Sequence, residues 1–406
     1  MKRQPIHITA AGVLIALLGT GVAAGPRIST LGMSADVTAG GSGGNIAGLG
    51  VLQNPNQTVS TYGSYPSVNF TSKGEHNTWD ANYSYGFNRY NTDPKINSNS
   101  HAAGFGYSTN GSGAGKFKYR ISDQFSVSAD RQTFDLLRGL DLSQIPQEFR
   151  YLFNPVVVRS TRSNTVTFGT DRTVSTSGSL NFTASHSIVN YQSSNTLGVL
   201  YNQQRFSGTV GYTHAVEHGG VSFNYGASRF NFNNFDNAWS HFASVGYTHE
   251  FAADFSMNVS GGASFVQTGQ ANGNRVGANA SLGLQRIVKN GGFSFSISQS
   301  SGDASGFGAL STSRQGGFGA THKYGKNLQL SSNASVFDIR TSVGSKLSSR
   351  GFAAGATAGY SISRRWVIVA GGQYQKYSGN SAFNFNQRRL FVTFRFNNPE
   401  FWRFQG

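Results

Sequence analysis

The chain has 406 residues and a formal net charge of +16, with 37% hydrophobic, 12% charged and 13% aromatic residues. Soluble domains carry about 45–50% apolar and about 25% charged residues, so a chain this long but this poor in both is not a string of ordinary soluble cores. The 52 Gly with 8 Pro exclude collagen and Pro-rich disorder, the 32 Phe and 17 Tyr exclude a chain without aromatic burial, and zero Cys excludes disulfide scaffolds, thiolate metal sites and cysteine nucleophiles.

The first element is a secretory signal peptide over residues 1–24. Lys2 and Arg3 form a positive lead, Ala10–Leu18 is a short apolar run, and small residues precede a cleavage point after Ala24. The run is about half of the roughly 20 residues a spanning helix needs, so Sec-type export is expected rather than a helical anchor. Residues 25–60 are Gly-rich (Ala39-Gly40-Gly41-Ser42-Gly43-Gly44). They read as a flexible lead by default, or as a first strand near Ile28–Val37, or as a small plug.

Residues 61–396 repeat one pattern of alternating apolar and small polar residues followed by a turn. Trp79–Phe87, Phe117–Ile121, Phe125–Ala129, Leu180–Ala184, Phe255–Val259, Val276–Leu284 and Phe293–Ile297 all alternate with a period of two. That period means strands with one apolar and one polar face. The runs last about 9–13 residues, longer than the five or six of soluble strands and close to the 9–11 that tilted strands need to cross a bilayer. Aromatics at their ends (Tyr90, Tyr107, Tyr212, Tyr247, Tyr324, Tyr360, Tyr374) suit girdles at lipid–water boundaries.

Short turns are expected near residues 72–77, 110–116, 171–175, 215–219, 251–254, 289–292, 324–327 and 361–365, with longer loops between them. Eight hairpins and Arg389–Phe396 make seventeen strands. Single-chain barrels of this kind have an even count, so an eighteenth strand is sought in the Gly-rich segment, with sixteen strands the alternative. The fold expected is all-β, a closed antiparallel transmembrane barrel of about 16–18 strands. A soluble β-solenoid would need a fixed short repeat, and the hairpin spacing drifts between about 30 and 40 residues.

The last strand, Arg389-Leu390-Phe391-Val392-Thr393-Phe394-Arg395-Phe396, resembles the C-terminal assembly signal of Gram-negative outer-membrane β-barrels, porin-like proteins as a class. Arg389, Phe394 and Phe396 carry the likeness; Phe391 stands where Gly is usual, and residues 397–406 follow as a tail. The resemblance implies outer-membrane lipid and the barrel-assembly machinery as partners, and the cell outer membrane as location.

Strand parity assigns the charges. Lys116, Lys118, Arg120, Arg159, Arg205, Arg275, Arg389 and Arg395 fall on the inward set, against Asp80 and Asp130. Basic residues avoid the lipid midplane, where each costs about 2–4 kcal/mol. That keeps them off the outer face but does not explain the missing acids, so a lumen favouring anions is expected. Lys and Arg form no basic run, so nucleic acid is not expected as a partner; small anionic solutes or acidic glycans are.

The loop Phe134–Val158 is rich in Leu and Phe. It reads either as a constriction folded into the lumen, with Arg138, Asp141, Glu148 and Arg150 lining it, or as an external lid. His186, His214, His241, His249 and His322 fall on outward positions with no acid spaced to orient them, so they read as interfacial rather than catalytic. No metal spacing and no cofactor motif is present. The function expected is a diffusion channel for small hydrophilic or anionic solutes. The rivals are an export or docking barrel for an exopolysaccharide, a non-conducting structural barrel, and an enzyme at the rim.

Overall fold

The computed structural model describes residues 27–43, 59–90, 98–109, 117–128, 159–193, 202–232, 237–268, 274–304, 310–341, 348–379 and 385–405. Every regular element among them is a strand. In chain order these are β1 (Ile28–Gly43), β2 (Val59–Lys73), β3 (Asn77–Tyr90), β4 (Ser98–Thr109), β5 (Phe117–Ser128) and β6 (Arg159–Thr173). They continue as β7 (Gly178–Ser193), β8 (Gln203–Val216), β9 (Gly219–Phe232), β10 (Ala238–Ala252), β11 (Phe255–Thr268) and β12 (Arg275–Val288). The rest are β13 (Gly291–Ala304), β14 (Leu310–Tyr324), β15 (Leu328–Thr341), β16 (Ser348–Ser361), β17 (Trp366–Gly379) and β18 (Phe385–Gln405).

Each strand pairs antiparallel with its neighbours in sequence, and β1 pairs with both β2 and β18, so the 18-stranded sheet closes on itself. Closure leaves no open edge along the paired wall and excludes the solenoid. Strands run 12–16 residues apart from the 21 of β18. Tilted by about 40°, such strands stand roughly 30–40 Å tall, enough to cross an apolar band of about 25 Å with margin at both ends.

Seven of the eight short connections are described and fall where the turn signals lie; the eighth, residues 110–116, lies outside the described residues. Glu217 and His218 turn β8 into β9, with His218 in the left-handed region at φ 60°. Between β12 and β13 the turn residues are Lys289 and Asn290, and Gly291 opens the next strand. A methyl group there would collide with the Thr321 carbonyl oxygen, so the Gly serves the close approach of β14. Both ends of the described chain, Ile28 and Gln405, lie at the short-turn rim, paired with each other and with Lys73.

Two boundaries differ from the sequence expectation. The Gly-rich segment is not a free lead as far as Gly43: Ala39–Gly43 pairs residue by residue with Val392–Arg388. Residues 397–405 are not a tail. Past Phe396, β18 has left β17 behind but continues along β1 to Gln405, through a bulge opposite Gly32. Gly32 fits there because its missing side chain leaves room for the Pro399 carbonyl, which would lie 2.8 Å from a Cβ. Pro399 in the bulge needs no ladder hydrogen bond, which is how a proline survives in this strand.

One alternate set of residues diverges from the barrel and the other converges. Val210, Phe223, Val245, Val276, Val336 and Leu390 belong to the diverging set and are 46–77% exposed. The converging set is Gly, Ser, Asn, Thr and Gln, and it holds nearly all of the buried side chains. The buried ones form two bands. The first runs over β7–β11 at the long-loop end (Val189, Gln203, Phe230, Phe232, Ala238, Val266), and the second over β15–β18 (Phe337, Ala353, Val369, Gln375, Phe391). The apolar faces look out and the polar faces in, so the low hydrophobic fraction follows from the architecture.

Candidate functional site

The inner wall is the surface with chemistry to offer, and its first property is thinness. Ser–Ser pairs stand directly opposite each other on neighbouring strands: Ser34–Ser67 (2.6 Å), Ser126–Ser163, Ser185–Ser207 and Ser260–Ser281 (2.7 Å each). Each pair satisfies its hydroxyls without reaching into the lumen.

Longer inward side chains lie flat over glycines of the adjacent strand. Phe242 covers Gly226, where a Cβ would stand 2.6 Å from its Cζ. Phe337 covers Gly351, Phe391 lies across Gly371 and Gly40, and Tyr65 covers Gly86. Arg120 and Asp80 do the same over Gly169 and Gly106, with a Cβ meeting Nε at 2.6 Å and Oδ1 at 2.5 Å. A glycine opposite each large side chain turns it along the wall instead of across the passage. A barrel of 16–18 strands is wide enough for an aqueous channel if its interior side chains do not fill it.

The basic residues do not form one ring. Lys118 and Arg120 sit near the short-turn end of β5, while Arg205 and Arg275 sit near the long-loop ends of β8 and β12. Arg389 and Arg395 lie along β18, next to the β1 seam. Arg205 Nη2 donates to Ser228 Oγ at 3.2 Å, and its guanidinium lies 5.1 Å from the Phe230 ring centroid. Lys118 and Arg275 are exposed, and Arg389 faces Gln373. Arg159 heads β6 opposite Ser193. Lys116 and the loop residues Arg138, Asp141, Glu148 and Arg150 lie outside the described residues, as do the signal peptide and Asp130.

Three acids beyond the expected set fall inward: Asp36, Asp171 and, opposite Ser256 at the short-turn end of β10, Glu250. Asp36 accepts from Arg395 Nε (3.1 and 3.3 Å) and Nη2 (3.2 Å) across the seam, and Asp171 stands 3.5 Å from Arg120. The eight-to-two balance of basic over acidic groups is therefore corrected: Asp80, Asp36, Asp171 and Glu250 face in, and two of the arginines are locally neutralised. Asp171 falls in an expected turn, and Asp36 in the segment that reads as a flexible lead, a first strand or a plug. Only the cross-strand register, Asp36 opposite Arg395 and Asp171 opposite Lys118, reveals their face.

The inner wall also holds the aromatics Tyr65, Phe230, Phe232, Phe242, Phe337 and Phe391. In β9 the apolar residues occupy odd positions up to Ala227, then Phe230 and Phe232 switch to the even set while Arg229 and Asn231 take the outer one. Arg229 and Asn231 were the signal that the switch is real.

The histidines lie on the outer face in aromatic company. Tyr225 Oη and His241 Nδ1 are 2.9 Å apart, Tyr247 and His249 3.0 Å, and His186 stacks on Phe206 at 4.2 Å. Tyr212 pairs with His214, and His322 meets the Tyr324 ring edge-on. Among the described residues, no cluster of His, Asp and Glu could hold a metal ion. At the terminal signal, Phe394 (43% exposed) and Phe396 face outward and pack about Trp366, 5.8 and 4.9 Å between centroids. Beyond them Trp402 and Phe404 are exposed at alternate positions nearer the end.

The chain is similar to porin-like outer-membrane barrels as a class. Among solved structures it resembles OccAB4 of Acinetobacter baumannii (10% identity, TM-score 0.47, covering 91% of this chain and 98% of that one). It also resembles OccK2 (OpdF) of Pseudomonas aeruginosa (7%, 0.49, 91% and 98%) and the ferric-catecholate import receptor Fiu of E. coli (10%, 0.42, 89% and 81%). No family model and no curated protein matches the chain.

Proposed function

We propose that the protein is an outer-membrane channel, exported by its signal peptide, through which small hydrophilic and anionic solutes diffuse. The observation that supports this best is the wall itself: a closed 18-strand barrel whose inward side chains are short or laid flat over glycines, leaving the passage to water. Lys118, Arg205, Arg275 and Arg389 contribute positive charge to the wall, and Arg120 and Arg395 contribute it beside a carboxylate each. In water-filled lumens such charges concentrate counter-ions over a Debye length of about 10 Å at 0.1 M salt.

Planar-bilayer recordings test the proposal. Open-channel current is expected, with reversal potentials in a salt gradient showing anion preference at low salt and less of it at high salt. Replacing Lys118, Arg205, Arg275 and Arg389 with Gln should remove most of the preference while the barrel still inserts, because lumen positions tolerate polar exchange. No current from inserted wild-type barrel would overturn the channel. Cation preference would overturn the anion part alone.

A second reading, an export or docking barrel for a glycan, is favoured by one observation. Phe242 and Tyr65, both only half-buried, lie along the wall, and flat rings are surfaces on which sugar rings pack. Block of the current by a long acidic oligosaccharide at micromolar concentration, with no block by its monomer, would favour that reading.

A further inference from the structure

The lipid face carries a charge row that lumen chemistry does not explain. At the long-loop end, five consecutive strands present exposed cations outward: Arg314 on β14, Arg340 on β15, Arg350 on β16, Lys376 on β17 and Arg388 on β18. Register fixes their face. Arg314 pairs across to Asp338, Asp338 to Arg350, Phe352 to Lys376, and Tyr374 to Arg388. Just deeper on the same face, Val336, Phe352 and Leu390 are bare at 52%, 39% and 72% exposure. The cations thus stand at the edge of the apolar band, at headgroup depth.

Rim placement makes a basic residue tolerable, but an acid would be tolerated there equally. The row is opposed by Asp338 alone among the described residues, and Arg89, Arg162 and Arg229 continue the same level elsewhere around the barrel. The whole chain has 33 basic to 17 acidic residues, so the bias at this level exceeds composition. Among the described residues, the strands show no such outward row at the opposite rim: Arg172 lies 4.9 Å from the Phe117 ring centroid and Arg286 pairs with Asp254 at 3.4 Å.

Asp338 also organises the row. It accepts from Arg340 Nη2 at 2.8 Å and lies 3.7 Å from Arg350 Nε, while Arg314 Nε donates to Gln299 Oε1 at 2.8 Å. One carboxylate holds two guanidiniums side by side, each with further N–H groups to give. Paired guanidinium forks match phosphate oxygens in number and plane.

We propose that the outward row on β14–β18 binds the phosphorylated headgroup of an outer-leaflet glycolipid. The inference rests on the outer-membrane placement, with long loops outside. Lipid A serves as the probe in native mass spectrometry of the detergent-solubilised barrel, with dephosphorylated lipid A and inorganic phosphate in parallel. The variant is Arg350→Gln, Lys376→Gln and Arg388→Gln together, which leaves the Arg340–Asp338 pair intact; Lys376→Gln with Arg388→Gln is the milder version should the triple fail to fold. Arg172→Gln is the control at the other rim.

Each cation near an anionic lipid surface contributes appreciably, so the triple variant should bind lipid A at least tenfold more weakly than wild type, and the control should bind as wild type does. Dephosphorylated lipid A should bind as weakly as the variant binds the intact lipid, and millimolar phosphate should not displace lipid A. Equal binding by variant and wild type, undiminished binding without phosphates, or displacement by free phosphate would each overturn the site. Wild-type current in a neutral phosphatidylcholine bilayer reads the channel separately. Current without lipid A binding would overturn this site alone, and no current would overturn the channel alone.

Discussion

Asp36→Asn at the barrel seam should weaken the closed barrel while making its lumen more selective for anions. Asp36 and Arg395 face each other directly across β1 and β18, with three N–O distances of 3.1–3.3 Å and side-chain exposures of only 17% and 26%. Hydrogen bonds to charged groups are worth about 1.5–3 kcal/mol, and removing one partner strands the other. Water in the lumen relieves part of that penalty, so the loss should be about 2 kcal/mol, on the order of 30-fold in the folding equilibrium.

The pair Arg120–Asp171 is the internal comparison. At 3.5 Å and 59% and 41% exposure it is worth about 0–1 kcal/mol, so Asp171→Asn should leave stability nearly unchanged. Urea unfolding of barrels inserted into vesicles measures both variants, and bilayer reversal potentials read the added positive charge. Equal stability of Asp36→Asn and Asp171→Asn would refute the weight given to burial at the seam. A shift of Asp36→Asn toward cations would refute the inward placement of the pair.

Other outcomes follow from the wall and the termini. Gly226→Val and Gly351→Val should lower single-channel conductance without preventing insertion. Ordinary carbon contacts are about 3.5–4.0 Å, so a Cβ at 2.6 Å from Phe242 Cζ drives that ring roughly 1 Å or more into the lumen; unchanged conductance in both variants would mean the rings are not at the edge of the passage. Phe394→Ser with Phe396→Ser should reduce the heat-modifiable band, the mark of a closed barrel in detergent gels. If Trp402→Ser with Phe404→Ser reduces it more, the assembly signal lies at the true end of β18.

The period of two made nearly the whole barrel legible, because a strand with one face to lipid must alternate or lose its place. Seventeen of the strands and the short turns among the described residues follow from that constraint, and the eighteenth follows only from the even strand count. The constraint relaxes where neither face is strongly apolar. In β1 the outward positions past Val37 are Ala39, Gly41 and Gly43, which hardly alternate in hydrophobicity at all, so the strand looked like a linker. Its pairing comes from β2 and β18, which are remote in sequence. The extension of β18 was hidden for the same reason: Pro399-Glu400 breaks the alternation at the bulge, and only the partner strand shows that pairing resumes. Charge pairing across the seam, Asp36 with Arg395, joins residues 359 positions apart and has no local signature.

Glycine and aromatic content together define this wall. Fifty-two glycines would ordinarily mean flexibility, and 32 phenylalanines would mean a core; in the described barrel neither holds. A wide barrel has two problems of volume, since its outer face must be broad and apolar and its inner face must stay thin. Phenylalanine on the outer set answers the first, as at Phe182, Phe223, Phe265, Phe295 and Phe318, each at least 37% exposed. Glycine on the inner set answers the second, and it also decides what happens when an aromatic falls inside. Phe242, Phe337, Phe391 and Tyr65 each have a glycine beneath them on the next strand; Phe337 and Phe391 are buried in the wall, and Phe242 and Tyr65 lie along it without narrowing the passage by a ring's width. An inward aromatic and its glycine are therefore a single unit of the wall: the conductance of the lumen depends on the glycine as much as on the ring.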